Sequence, residues 1–340
     1  MPHEEPRGIA FALRALGHRN YKLFFAGQST SLIGTWMTRL AQSWLVYRLT
    51  GSAWLLGIVG FAGQVPTFLL GPFAGVWVDR LNRHQVLVAT QVLSMIQSFW
   101  LAMLTLRHHI TVADIIWLSV FQGVINAFDM PARQAFVMEM VESREDLPSA
   151  IALNSSMVNG SRLIGPSIAG AVIAAVGEGW CFFIDGVSYI AVIISLLSMR
   201  LHHKPMQRRR GQGWNDFVEG WQYVSRSVAI RSILMLLGLV SLVGMPYTVL
   251  MPLFAGNILH GGAHTLGFLM GASGVGALVS AGYLAQRKSV LGLGRIIPIT
   301  AAIFGGALVG FSFSRMLWLS LLLMVATGFG MMQQMAASNT

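Results

Sequence analysis

Ten apolar stretches, each closed by a short polar or charged break, constrain this chain more than any other feature. They fall near residues 23–47, 53–78, 86–106, 112–136, 148–176, 180–199, 232–256, 265–285, 291–313 and 316–338. A helix needs about 20 such residues to cross the hydrocarbon of a bilayer. The edges have the character such spans require. In Gly71–Gln85 an apolar run closes on small residues, and Asp79, Arg80 and Arg83 stand where it stops, because charge is costly in hydrocarbon and cheap at the interface. Charged residues are only 11% of the chain against 54% apolar, whereas a soluble domain carries about a quarter. Too little charge remains to cover a water-facing surface, so the expected fold class is an all-α integral membrane protein.

The net charge of +10 does not read as a nucleic-acid footprint. Of 23 Lys and Arg, 18 fall in segments on one side of the membrane; Arg48, Arg107 and Arg315 fall on the other, and Arg39 and Arg162 lie inside spans. That is the positive-inside bias. It places the N-terminus in the cytoplasm and makes lipid, not nucleic acid, the surrounding partner. The single cysteine, Cys181, allows no intramolecular disulfide. The first apolar run is too long and too flanked by charge for a cleaved signal, so it reads as a retained span.

Three regions follow. Residues 1–199 hold six spans, preceded over 1–22 by a short interfacial helix with Ile9, Phe11, Leu13 and Leu16 among Arg7, Arg14, Arg19 and Lys22. Residues 200–231 form a basic linker followed by an amphipathic helix from Trp214, with Phe217, Val218, Trp221 and Val224 set against Asp216, Glu219 and Arg226. Lipid headgroups suffice as the partner of that linker. Residues 232–340 hold four spans. Gly282 to Arg287 aligns on Gly75 to Arg80 at an offset of 207 residues, and Gly123 with Asn126 aligns on Gly330 with Gln333. A parallel six-span repeat produces such a register. By it Thr340 corresponds to Arg133, so the sequence is expected to lack the last two helices, roughly 65–70 residues.

These residues carry a family resemblance. Gly75-x-x-x-Asp79-Arg80-x-x-Arg83 resembles the loop motif of the major facilitator superfamily, two parallel six-helix halves around a basic central loop. Asn126-Ala-Phe-Asp129-Met-Pro131-Ala-Arg133 in the fourth span, and Asn159-Gly-Ser-Arg162-Leu-Ile-Gly165-Pro166 with Gly170 in the fifth, look like the bacterial enterobactin-exporter and macrolide-efflux branch. The resemblance covers essentially the whole chain, here about ten spans of such a fold. One departure is Gln286, which stands where the first half has Asp79.

Candidate residues fall into four groups. Asp79 and Arg83 can pair across the loop, with Arg80 beside them, and Asp129, followed by Arg133, can join to form a cytoplasmic gate; the alternative is a topology signal and helix cap. Gln28, Ser31, Thr35, Arg39 and Gln42 are spaced 3, 4, 4 and 3 along one face of the first span, a stripe that cannot face lipid. Arg39 either contacts substrate or pairs with an acid such as Asp185. Gln122 and Asn126 continue the pattern in the fourth span, and Gln333 in the tenth. The resemblance implies that these spans surround the central pathway, while interhelical polar contacts are the alternative. Asp185, one of few acids inside a span, is the candidate proton carrier unless it pairs with Arg39 or Arg162, and Arg162, which needs a counter-charge, is the other candidate for coupling. Gly165, Pro166 and Gly170 suit close helix approach, and the resemblance implies an exporter's packing seam.

Aromatic residues and 19 Met suit an adaptable cavity, though interfacial anchoring accounts for most of the aromatics. Gly271-Ala-Ser-Gly274-Val-Gly276 lacks the preceding strand a dinucleotide site needs. His260 and His264 flank a Gly-Gly loop unsuited to a metal site. No nucleophile elbow or nucleotide motif is present, so the chain is not expected to be an enzyme or to hold a cofactor. The expectation is a secondary transporter, a proton-coupled exporter of a small amphipathic compound working by alternating access in a bacterial cytoplasmic membrane. A membrane sensor or scaffold using the same fold, or an uptake facilitator, are the alternatives.

Overall fold

The computed structural model describes residues 14–141, 145–200, 227–244, 246–285 and 293–339. It divides into two compact units: Met1–Lys204 with Gly262–Gly267, and Pro205–Gly261 with Phe268–Thr340. Among the described residues all regular structure is helical.

The first unit contains α1 (Arg19–Thr50), α2 (Ala53–Val78), α3 (Arg83–Leu106), α4 (Val112–Met140), α5 (Leu147–Val176) and α6 (Glu178–Leu197). Local chemistry sets the breaks. Gly51 takes a left-handed φ of 60° and ends α1, and the Ser52 side chain then caps α2. Asn82 caps α3 through the amides of His84 and Gln85. Thr111 and Asp114 form a reciprocal capping box on α4. Within the unit α1 packs on α5 and α6, α2 on α4, and α3 on α4 and α6. An apolar cluster including Tyr21, Phe24, Val78, Leu87, Phe136, Met140, Leu153 and Leu196 joins the Arg19 end of α1 to the neighbouring helix ends.

The interfacial helix expected over 1–22 lies partly outside the described residues. Arg14–Gly17 is a single 3-10 turn, and Arg19 and Lys22 already belong to α1. That turn is tied to the start of α5: Arg14 pairs with Asp146 at 3.0 Å, and the Ala15 amide donates to Ser149 Oγ at 3.1 Å. The surface helix expected from Trp214 and the second-half loop at Gln286–Arg287 likewise lie outside the described residues.

In the second unit the seventh window is a broken helix. It comprises α7 (Val228–Leu239), a π-helical turn Val240–Gly244, α8 (Tyr247–Leu253) and a second π turn Phe254–Ile258. Pro246 and Pro252 each remove a backbone donor and crowd the preceding turn. Then follow α9 (Ala263–Ala285), α10 (Leu293–Phe313) and α11 (Leu317–Asn339). The second span crosses the fourth at Gly123, where a Cβ would lie 3.1 Å from the Pro66 ring; the eighth crosses the tenth at Gly328, where a Cβ would lie 2.9 Å from Ser273 Cα.

Among the described residues eight segments are long and apolar enough to cross a membrane. Two long helices are not among them: α1 and α5, of 32 and 30 residues. Length is not what they lack. They are too polar, and they carry Arg39 and Arg162.

Candidate transport site in the first unit

Two sets of charges occupy different levels of the first unit. At the α2–α3 loop, Arg83 pairs with Asp79 at 3.0 Å and also with Glu139 on α4, so one guanidinium ties three helices. Arg80 is exposed. Asp129 does not join this group, as the sequence suggested it would. It precedes Glu139 by ten residues, about 15 Å along α4, and is only 2% exposed. Its carboxylate pairs with Arg133 and accepts from Thr90 Oγ1 at 2.9 Å and Gln91 Nε2 at 2.8 Å, fastening α4 to α3 within the bundle. Glu139 is the acid that sits level with the loop.

The polar stripe of α1 divides along its length. Gln28 and Ser31 are buried, so that end of the stripe packs inside the unit. Thr35 is half-buried, with Oγ1 donating to the Ser31 carbonyl at 3.0 Å and lying 3.4 Å from the Tyr189 hydroxyl. Gln42 donates to Ser119 Oγ on α4 at 2.6 Å. Arg39 differs from all of them: it is exposed, about 16 Å from the Thr50 end of its helix at 1.5 Å per residue. Its guanidinium carbon lies 4.9 Å from the Trp36 ring centroid, and that of Arg162 on α5 lies 5.5 Å from the same ring. On α4, the Gln122 amide donates to Asn126 Oδ1 and to Ser94 Oγ on α3, both at 3.2 Å.

Asp185 takes neither arginine as an ion-pair partner. It is 1% exposed, and its Oδ2 accepts from Thr38 Oγ1 of α1 and Ser98 Oγ of α3, both at 2.9 Å. Its Oδ1 is without a hydrogen bond. The carboxyl therefore joins α1, α3 and α6 through hydroxyls alone.

Gly165, Pro166 and Gly170 are buried on α5. A Cβ at Gly165 would lie 2.5 Å from Trp36 Cβ and 2.9 Å from the Ile33 carbonyl oxygen, so α5 meets α1 backbone to backbone. Gly170 does the same with the first turn of α9, at Ala263 and Gly267. Gln333 is not on an open face. It is 1% exposed and accepts from Ser280 Oγ at 2.8 Å, an interhelical tie inside the second unit.

Sequence reasoning passed over the third span. Thr90, Gln91, Ser94, Gln97, Ser98 and Thr105 are all buried on α3, and Thr90, Gln91, Ser94 and Ser98 supply the partners of Asp129, Gln122 and Asp185. Their spacing by three and four was the available signal. Thr38 and Glu139 carried no such pattern.

Comparison with known proteins agrees with this architecture. Residues 10–340 match the family described as transmembrane secretion effector. The staphyloferrin A transporter of Staphylococcus aureus is 25% identical over 86% of this chain and 73% of its own length. The multidrug efflux pump Tap of Mycolicibacterium fortuitum is 27% identical over 51% of this chain, and macrolide efflux protein A of Streptococcus pyogenes 24% over 54%; the chain spans only 43% and 46% of those two. Among solved structures, a bacterial homologue of the iron transporter ferroportin superposes with a TM-score of 0.68 at 15% identity, covering 94% of this chain and 82% of that one. A bacterial homologue of the human lysosomal transporter Spinster gives 0.67 at 14%, covering 94% and 73%. At those identities the likeness shows the fold. The family match spans nearly all of the sequence: the chain belongs to the transmembrane secretion effector family, a multi-pass membrane transporter of the major facilitator superfamily in its drug and siderophore efflux branch.

Proposed function

We propose that the chain exports a small amphipathic compound by alternating access, driven by proton entry, in a bacterial cytoplasmic membrane with its N-terminus in the cytoplasm. The observation that carries this is Asp185. A carboxyl at such depth is costly when charged, yet its partners here are two hydroxyls. A hydroxyl donates to a carboxylate and equally accepts from a protonated acid, so Thr38 and Ser98 can serve both states by rotating. An arginine partner could serve only one. The coupling proton binds at this carboxyl, and its arrival reverses the sense of one of the two bonds that tie Asp185 to α1 and α3. Arg39, Thr35, Gln122 and Asn126 line the path. The Asp79–Arg83–Glu139 group serves as the cytoplasmic gate, and the α5 seam from Gly165 to Gly170 seals the opposite side. The names of the relatives, a staphyloferrin A transporter and two efflux proteins, support a small-molecule cargo.

Dye accumulation in energised everted vesicles tests the proposal. Uptake into the vesicles should follow the proton gradient and stop when a protonophore collapses it. Transport that continues at the same rate without the gradient would rule out antiport.

A further inference from the structure

The buried polar side chains of α3 form a ladder between the two deep carboxyls of the first unit. Thr90, Ser94 and Ser98 are all buried and stand one turn apart, on one face of the helix. Each end of the ladder holds a carboxyl: Ser98 Oγ donates to Asp185 Oδ2, and Thr90 Oγ1 to Asp129 Oδ1, both at 2.9 Å. Four residues of helix rise about 6 Å, so successive hydroxyls stand too far apart for a direct bond of about 2.8 Å. One bridging group spans each interval.

Polar groups lie at both intervals. On the Asp185 side, Ser98 has a second acceptor in Gln97 Oε1 at 3.4 Å. The Tyr189 hydroxyl, 3.4 Å from Thr35 Oγ1, lies beside Ser94. On the Asp129 side stand two carboxamides. Gln122 Nε2 donates to Ser94 Oγ at 3.2 Å, and Gln91 Nε2 to Asp129 Oδ1 at 2.8 Å. Their oxygens, Gln91 Oε1 and Gln122 Oε1, are both buried and both without a hydrogen bond among the described residues. A buried acceptor needs a donor, and a buried water is held by two to four polar groups; Thr90, Gln91, Ser94 and Gln122 are such a set. The end hydroxyls can also switch. Ser98 has one hydrogen for Asp185 and Gln97, and Thr90 has one for Asp129 and the Leu87 carbonyl, also at 2.9 Å.

We propose that this ladder relays the coupling proton between Asp185 and Asp129, with water bridging Ser94 to Thr90. The relay rests on Asp185 as the coupling site and adds Asp129 as the second carboxyl of the route, about 12 Å further along α3 towards its Arg83 end. At each transfer a hydroxyl or a water accepts a hydrogen on a lone pair and passes its own to the next group. Asp185 loses one proton, Asp129 gains one, and every group between them ends as it began. Ser98, Tyr189, Ser94 and Thr90 carry the proton. Gln91, Gln97 and Gln122 position the carriers and exchange nothing.

Ethidium-driven proton flux in proteoliposomes of the full chain, measured beside exchange of labelled for unlabelled ethidium, tests the relay, because exchange needs no proton. Ser94→Val, Thr90→Val and Asp129→Asn should each lower the flux by about a hundredfold and leave exchange at the wild-type rate. Ser94→Thr, which keeps the hydroxyl, should retain the flux. A structural role alone would move flux and exchange together. Thermal melting identifies any variant that fails to fold, and the remaining ones carry the comparison. Wild-type flux in a folded Ser94→Val, Thr90→Val or Asp129→Asn, or exchange lost along with flux, overturns the relay. Asp185→Asn in the same assay separates the two claims. Flux lost there but kept in the ladder variants leaves the coupling site standing without the relay; flux kept there removes both. Absence of ethidium-driven flux from wild type removes antiport and the relay with it.

Discussion

The two units solve the same packing problem with different polar chemistry. In the first, Asp129 with Arg133, Asp185, and the guanidiniums of Arg39 and Arg162 all lie within the helices. From Ser232 to Thr340 the sequence contains no Asp or Glu at all. There the buried polar contacts are neutral: Ser280 with Gln333, Tyr247 with Ser273, Ser314 with Ser320. Neutral hydrogen bonds between spans contribute modestly, about 0.6 kcal/mol on average, and cost little to bury. Buried charges cost far more and are found where they act. Among the described residues every buried acid lies in the first unit. Both neutral and ionic ties fasten helices; only the ionic ones can respond to a proton or a charged solute.

That contrast can be broken by substitution. The largest effect is expected at Asp129→Ala, which leaves Arg133, Thr90 and Gln91 facing a buried void. Removing one partner of a buried ion pair costs about 3–5 kcal/mol, and thermal melting in nanodiscs should fall accordingly. Next, Gly165→Val forces a side chain into the α1 backbone at Ile33 and Trp36. Overpacking of that kind costs about 1–3 kcal/mol, and the same assay should register it with transport reduced in parallel. In the second unit, Gln333→Met removes one neutral tie while keeping volume. A shift within about 1 kcal/mol of wild type is expected, with transport retained; a loss comparable to Asp129→Ala would erase the distinction between the units. The smallest effect on stability belongs to Arg83→Ala. Asp79 and Glu139 are substantially exposed, so the group contributes at most about 1 kcal/mol, and high salt should mimic the substitution. A gating role shows instead as altered transport with unaltered melting.

Much of this was legible from residue order. The apolar windows located the helices because hydrocarbon admits little else, and Arg39 and Arg162 announced themselves as charges at depth. The partners were not legible. Asp129 was expected to meet Asp79 and Arg83, but helix rise puts it about 15 Å along α4 from Glu139, the acid that does meet Arg83. Gln28 belongs to the same stripe as Arg39 by spacing, yet Gln28 is buried and Arg39 exposed. Spacing fixes a face of a helix, not what covers it. Asp185 could have paired with either arginine on sequence grounds; its choice of Thr38 and Ser98 depends on where α3 lies, and the hydroxyls of α3 read as ordinary interhelical polarity. The seventh window was expected as one continuous span; its break at Pro246 and Pro252 and its π-helical turns appear only in the structure.

The central claim is that the coupling proton binds in the first unit, at a carboxyl held by hydroxyls. The most direct measurement is substrate-driven proton movement in proteoliposomes, followed with an entrapped pH dye, for wild type, Asp185→Asn and Gln333→Met. The account predicts proton flux from wild type and Gln333→Met and none from Asp185→Asn, with substrate still bound by all three. Proton flux that persists in Asp185→Asn at the wild-type rate would contradict it.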